Sequence, residues 1–304
     1  MRRTRLIVAA LAGTLGASML VGPLAPSATA EAPASCAAKR TPATFRACIA
    51  TATDAYTRLW LPLLAAHGST TALPAVSIYT GVPLNPCFDA TVGDVVEASF
   101  WCDKDETVYV SAPASPYWTR DYAREAKAQG VLAGDARRLH RTQKRLLSGF
   151  ANQGAATELA HELGHWVQYA TGVDAYYLQK SSGTSRLADR YGSAFELSAD
   201  CMAGWVQGRA AATGSWRNTP VLRWASHATI AELGGDLTGM KPHFRFPQET
   251  TVIAHGGAYS RLRMYDAGWA LGVSAADGVV GCAQVAADYT RTEPPPLTRT
   301  SARR

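Results

Sequence analysis

The sequence predicts an α+β fold that is mainly helical, contains a small β-sheet and is stapled by disulfides. Apolar residues recur at helical spacing through much of the chain after residue 40. Two short stretches, 73–81 and 105–112, are instead rich in β-branched and aromatic residues, which is typical of strands. All six cysteines follow the first thirty residues, and an even cysteine count in an exported chain favours disulfides.

The first thirty residues have the pattern of an export signal. Arg2, Arg3 and Arg5 form a basic start, an apolar run follows over 6–21, and 28–30 is a small-x-small cleavage pattern. We therefore expect a secreted protein whose signal, 1–30, is removed. The alternative is a membrane anchor left uncleaved, for which the apolar run is short and glycine-rich.

Behind the signal we expect three regions: a flexible mature N-terminus over 31–40, one domain over 41–289 and a disordered Pro/Arg tail over 290–304. The formal net charge is +6. Most of this excess lies in the signal and the tail, so the body of the chain is near neutral. A basic nucleic-acid-binding surface is therefore not expected.

The elements are expected in a fixed order along the domain. A helix covers 41–66, because Thr41-Pro42 favours a helix start, and the two strands come next. Residues 172–192 are expected to form a loop. The other helices are predicted over 117–149 in two polar pieces, 155–170, 193–212, 220–233 and the end of 254–272.

The six cysteines are expected to form three disulfides, although sequence alone does not fix their pairing. We expect the first four to pair sequentially, which leaves the last two for each other. Free buried thiols are the alternative. The expected pairs are Cys36–Cys48, Cys87–Cys102 and Cys201–Cys282.

The helix predicted over 155–170 contains the pattern His161-Glu162-x-x-His165. Two residues four apart on a helix lie about 40° apart, so both imidazoles can reach one metal ion. Glu162 points about 100° away from His161, beside a metal-bound water rather than on the metal. The opposite face is apolar, so the motif is expected to face outward. The pattern predicts a zinc site with Glu162 as the general acid/base.

The third zinc ligand has to come from another part of the chain. Glu196 and Asp200 are also four residues apart on one predicted helix face. Glu196 is the favoured ligand, and Asp200 can accept the free ring N–H of a ligating histidine. Two alternatives stay open: Asp189 as the ligand, and Ser193-x-x-Glu196 as a helix capping box.

Four stretches together resemble one known family. HELGHWVQ (161–168) and ELSADCMAGW (196–205) resemble the two motif helices of the bacterial putative neutral zinc metallopeptidases. ASFWCDKDETVYV (98–110) is similar to that family's aromatic-cysteine segment leading into a strand. AHGGAYSRLRMYDAGWALG (254–272) is similar to its C-terminal segment.

The resemblance implies a zincin-like peptidase with one catalytic zinc ion bound by His161, His165 and Glu196. It also implies that Glu162 is the catalytic acid/base. The disulfides Cys87–Cys102 and Cys201–Cys282 are further features that the resemblance supports. Substrate specificity does not follow from it.

His255 precedes two glycines at the expected entry to the last helix, which makes it a candidate oxyanion donor. The alternative is a loop histidine that bonds to backbone; Arg261 and Tyr259 are weaker candidates for the same role.

The expected partner is a peptide or protein substrate, with no nucleic acid and no membrane span after signal cleavage. The alternative function is an exported zinc-binding interaction module with a dormant peptidase site.

Overall fold

The structure, a computed structural model, describes residues 36, 41–81, 83, 85–87, 99–112, 143–216, 223, 225–227, 229–230 and 257–297. The predicted signal and the first polar helix lie outside these residues. The described elements are, in order, α1 (Pro42–Ala66), β1 (Ala75–Tyr79), β2 (Phe100–Cys102), β3 (Thr107–Ser111), α2 (Gln143–Thr171), α3 (Val173–Ser181), α4 (Arg186–Ala212), α5 (Ala258–Val273) and α6 (Gly278–Thr290). A mainly helical chain with one small sheet confirms the predicted α+β class.

Helix α1 begins where the sequence predicted. The Thr41 hydroxyl accepts the backbone N–H of Thr44, and the Thr44 hydroxyl accepts the backbone N–H of Thr41, which satisfies two donors at the helix start. Pro62 lies inside α1 without ending it. Tyr56 and Trp60 are fully buried and place this helix in the main core.

The sheet has the strand order β1-β3-β2, with β1 and β3 parallel and β2 antiparallel to β3. Neighbouring β2 residues point to opposite faces. Phe100 stacks on Tyr109 with ring centroids 4.8 Å apart on one face. Trp101 packs against Tyr169 of α2, at 5.7 Å, on the other face. Helix α2 therefore lies beside the edge strand of the described sheet.

Residues 172–192, predicted to be a loop, contain α3 and the start of α4. Helix α4 begins at Arg186 because the Ser185 side chain caps it, accepting the N–H of Ala188 at 3.1 Å. The capping-box reading of Ser193-x-x-Glu196 is therefore wrong, since Ser193 lies inside α4.

Helices α4 and α5 approach each other closely through glycines. A Cβ on Gly268 would lie 1.8 Å from the Cys201 carbonyl oxygen, and one on Gly204 would lie 2.0 Å from the Tyr265 oxygen. Only hydrogen fits at such contacts. This close approach brings the N-terminal turn of α5 against the middle of α4.

The exposed side of α5 is joined to two helical residues, Arg223 and His227. Asp266 lies 2.9 Å from the ring of His227 and 3.1 Å from the guanidinium of Arg223. Burial raises the pKa of Asp266, but hydrogen bonds and charge from these two partners lower it more strongly.

The structure joins all three predicted cysteine pairs: Cys36–Cys48, Cys87–Cys102 and Cys201–Cys282. Helix α6 contains the last cysteine and was not among the helices predicted from the sequence. It begins at Gly278, where the Asp277 carboxylate accepts the N–H groups of Val279 and Val280.

Part of the tail predicted to be disordered is packed instead. Pro295 is buried, and Leu297 packs against the main core. The Glu293 backbone bonds to the hydroxyls of Tyr176 and Tyr191, at 3.3 and 3.4 Å. Apolar and aromatic contacts therefore fix 291–297 on α3 and α4. Within the described residues, no helix has the length and apolar character needed to cross a membrane.

Candidate metal centre and active site

Helix α2 places His161, Glu162 and His165 beside one another. Its opposite stripe is buried as predicted at Ala156, Leu159, Ala160, Leu163 and Val167, and it is half-buried at its last member, Ala170. The three polar side chains are nearly buried too, at 3%, 6% and 8% exposure, where an outward face was expected. Helix α4 crosses α2 closely: a Cβ on Gly164 would lie 2.9 Å from the Ala199 carbonyl oxygen.

Glu196 of α4 faces the two histidines. The Nε2 atoms of His161 and His165 lie 3.2 Å apart. Glu196 Oε2 lies 3.5 Å from His161 Nε2 and 3.7 Å from His165 Nε2. The ligand atoms of these three residues all lie within 4.8 Å of one another. Among the described residues, they form the cluster of His, Cys, Asp or Glu side chains that could hold a metal ion.

The spacing of these atoms fits a tetrahedral zinc ion. Zinc binds imidazole nitrogen and carboxylate oxygen at about 2.0–2.2 Å, which sets neighbouring ligand atoms about 3.3–3.6 Å apart. The observed separations of 3.2, 3.5 and 3.7 Å lie close to that range. Two imidazoles and one carboxylate are also a donor set that zinc uses in catalytic sites, with a fourth position left for water.

Asp200 and Arg261 fix the orientation of His161. His161 Nδ1 lies 2.8 Å from Asp200 Oδ1, so its N–H donates to the carboxylate and leaves Nε2 for the metal side. Arg261 of α5 donates to the same carboxylate twice, at 2.7 and 2.8 Å. Burial lowers the pKa of His161, but the neighbouring carboxylates, chiefly Asp200, raise it to about 10.

Gln168 fixes the orientation of the His165 ring. The His165 Nδ1–H donates to Gln168 Oε1 at 2.8 Å. The Gln168 amide nitrogen in turn donates to the Phe195 carbonyl and to the Ser198 hydroxyl of α4. The Phe195 ring also packs on the His165 ring, with centroids 4.5 Å apart. Both histidines are therefore held with Nε2 directed at Glu196.

Glu162 lies beside this group and next to the sheet edge. The backbone N–H of Trp101 in β2 hydrogen-bonds to its carboxylate. Burial raises the pKa of Glu162, and this outweighs the two histidines and the Trp101 N–H, which lower it. A carboxylate with a raised pKa is suited to accepting and releasing a proton near neutral pH.

The other sequence candidates have different outcomes. Asp189 is exposed in the first turn of α4 and is not part of the His-His-Glu group. Arg261, considered as an oxyanion donor, is buried against Asp200 instead. His255 and the side chain of Tyr259 lie outside the described residues, so the role of His255 stays a prediction.

The donor set of the site fits a zinc metallopeptidase, and one family comparison supports the same class of protein. Residues 136–277, which include α2 and α4, match the family described as putative neutral zinc metallopeptidase. This segment, which contains both motif helices, is therefore similar to that family, as the motifs predicted. Comparison with curated proteins and with solved structures found no match.

Sequence reasoning missed the supporting roles of Gln168 and Arg261. Gln168 is three residues after His165, a helical spacing that places both side chains together, so its role was readable in principle. Arg261 meets Asp200 across 61 residues of sequence. No local pattern signals such a contact, which depends on the docking of α5.

Proposed function

We propose that this protein is a secreted zinc-dependent peptidase that hydrolyses peptide bonds, with Glu162 as general acid/base. The observation that supports this best is the triangle of His161, His165 and Glu196 ligand atoms with Glu162 beside it. The family match supports the same class of activity.

One catalytic zinc ion would be held by His161, His165 and Glu196. When bound, zinc supplies Lewis-acid chemistry: it acidifies a water molecule and polarises the peptide carbonyl. Asp200 and Gln168 accept hydrogen bonds from the Nδ1–H groups of the two imidazoles, which leaves the Nε2 atom of each ring on the metal side. Arg261 holds the Asp200 carboxylate in place with two hydrogen bonds.

Glu162 handles the protons of the reaction. Its carboxylate takes a proton from the attacking water and passes it to the leaving amine nitrogen. Near-complete burial supports this role, because it raises the pKa of Glu162 and keeps bulk water from competing for the proton. His255 is proposed as a donor to the oxyanion that develops on the carbonyl.

The substrate backbone is proposed to bind along β2. An edge strand presents unpaired N–H and C=O groups, and extended peptides pair with such edges. In the described sheet β2 is an edge, and its Trp101 N–H already reaches Glu162. A peptide added there would pass directly beside the acid/base.

Secretion is proposed from the signal-like N-terminus. The three disulfides are compatible with an oxidising compartment outside the cytosol. Sequencing the N-terminus of the mature protein tests this directly. A start at Glu31 supports cleavage, and retention of 1–30 would favour the membrane-anchored alternative.

Zinc content and turnover of a peptide library test the catalytic proposal together. Glu162→Gln is expected to keep about one zinc per chain and lose hydrolysis. Glu196→Ala is expected to lose zinc affinity, while Asp189→Ala, a matched acidic change on the same helix, keeps it. Zinc binding by the unaltered protein without any turnover would instead favour the exported zinc-binding module.

A further inference from the structure

A second buried carboxyl group lies on the active-site helix, one turn before the proposed acid/base. Glu158 is four residues before Glu162 and only 5% exposed. The Ser99 hydroxyl donates to Glu158 Oε2 at 2.7 Å, and Ser99 is itself 6% exposed. The proposed zinc ligation and proton transfer do not use this pair.

Ser99 directly precedes β2 and joins α2 to the sheet. Its hydroxyl oxygen accepts the backbone N–H of Ser111, the last residue of β3, at 3.2 Å. Glu158, Ser99 and Ser111 thus form a chain of hydrogen bonds from α2 through the start of β2 to the end of β3. Each of the three residues is buried.

Ser99 and Trp101 have the same orientation in the sheet, both in their side chains and in their backbone N–H and C=O groups. Being two residues apart, their side chains lie on the same face of the sheet, toward α2. Their backbone groups likewise point to the same side of the strand. The Trp101 N–H bonds to Glu162, so this side is the edge away from β3.

Strand β2 is only three residues long, so its ladder holds its register weakly. The Cys87–Cys102 disulfide ties its C-terminal end. The Glu158–Ser99 bond ties its N-terminal end to the helix that contains Glu162. A slip of one residue would turn the outward N–H and C=O groups of Ser99 and Trp101 toward β3.

We infer that Glu158 is a positioning residue that holds β2 in register as the peptide-binding edge beside Glu162. This inference rests on the proposed peptidase function. Burying a carboxyl group is costly unless it is hydrogen-bonded, so an apolar residue would serve packing alone at lower cost. A hydrogen bond to one hydroxyl selects one strand register, which an apolar contact does not do.

Ser99→Ala and Glu158→Ala each remove this bond, and Glu158→Gln keeps an oxygen that can accept it. Two substrates separate positioning from general damage: a peptide of about eight residues, and a blocked dipeptide too short to extend along β2. We expect KM for the long peptide to rise about tenfold in both alanine variants, with kcat and zinc content nearly unchanged. KM for the dipeptide should stay constant, and Glu158→Gln should resemble the unaltered protein.

Equal losses for both substrates would overturn the inference, because they indicate general damage to the site. The inference also fails if Glu158→Gln behaves like Glu158→Ala. Ser99→Ala removes a single oxygen, so it keeps the test valid if Glu158→Ala does not fold.

Calorimetric binding of the long peptide to the zinc-loaded Glu162→Gln protein separates this inference from the proposed function. Tight binding that Glu158→Ala weakens about tenfold and Glu158→Gln does not weaken supports the role of Glu158 even if no peptide is hydrolysed. Absence of binding to the otherwise unaltered Glu162→Gln protein would exclude β2 as a peptide-binding edge.

Discussion

Replacing Gly268 by alanine tests whether the docking of α5 on α4 supports the metal site. The new Cβ would lie 1.8 Å from the Cys201 carbonyl oxygen, whereas real Cβ contacts are essentially never shorter than 3.0 Å. The helices therefore have to separate by about 1.2 Å at this point. The obstacle is backbone, which has no rotamer to change.

The energetic consequence has two parts. A gap of about 0.5–1 Å already loses a quarter to a half of the dispersion energy of each contact, and overpacking costs about 1–3 kcal/mol. Alanine regains about 1 kcal/mol of helix propensity. We expect a net loss of up to about 2 kcal/mol, together with lower zinc affinity, since Arg261 moves away from Asp200.

Gly281→Ala on α6 is the matched control. Its new Cβ would meet the Leu271 side chain at 2.9 Å, and that side chain can rotate away. The helix-propensity gain is the same, so this variant should be neutral or up to about 1 kcal/mol more stable. Urea unfolding measures the stability of the two variants, and chelator competition measures their zinc affinity. Equal stability and equal zinc affinity in both variants would show that the docking of α5 on α4 does not support the metal site.

Three further outcomes follow from individual contacts. Asp200→Asn is expected to lower zinc affinity about 10–100-fold, which chelator competition measures. It should also lower the free energy of unfolding by about 3–5 kcal/mol in urea, because Arg261 keeps a buried charge without its partner. Removing 291–304 is expected to destabilise the fold by about 2 kcal/mol in calorimetry, because it takes away buried Pro295 and two backbone hydrogen bonds. The pKa of Asp266 is lowered from 3.8, so its carboxylate stabilises the fold above about pH 3.8 and that contribution is lost as pH falls through the lowered pKa. Asp266→Asn should therefore have a lower Tm at pH 7, and the gap should close in acid.

The parts of the site that were predictable are those set within one helix. The spacing of His161 and His165 on α2, and of Glu196 and Asp200 on α4, follows from the helical repeat alone. Opposite apolar residues fixed which face of α2 enters the core. The start of α4 was misplaced because Ser181–Ser185 is a polar cluster, and its last serine is the cap rather than the middle of a loop.

The contacts that close the site join residues far apart in sequence. Ser99 and Glu158 are 59 residues apart, and Arg261 and Asp200 are 61 apart. Neither pair has a local spacing rule. The glycines 204, 208, 268 and 272 were a readable signal for close helix packing, but they do not indicate which arginine that packing delivers.

The two histidines depend on different parts of the fold, and this makes the metal site sensitive to a distant helix. Gln168 belongs to α2 itself and bonds to α4, so the orientation of His165 needs only those two helices. Asp200 has its charge balanced by Arg261 of α5, and without α5 a buried carboxylate would face His161 alone. Zinc affinity should therefore fall whenever α5 undocks, even though α5 supplies none of the three proposed ligands.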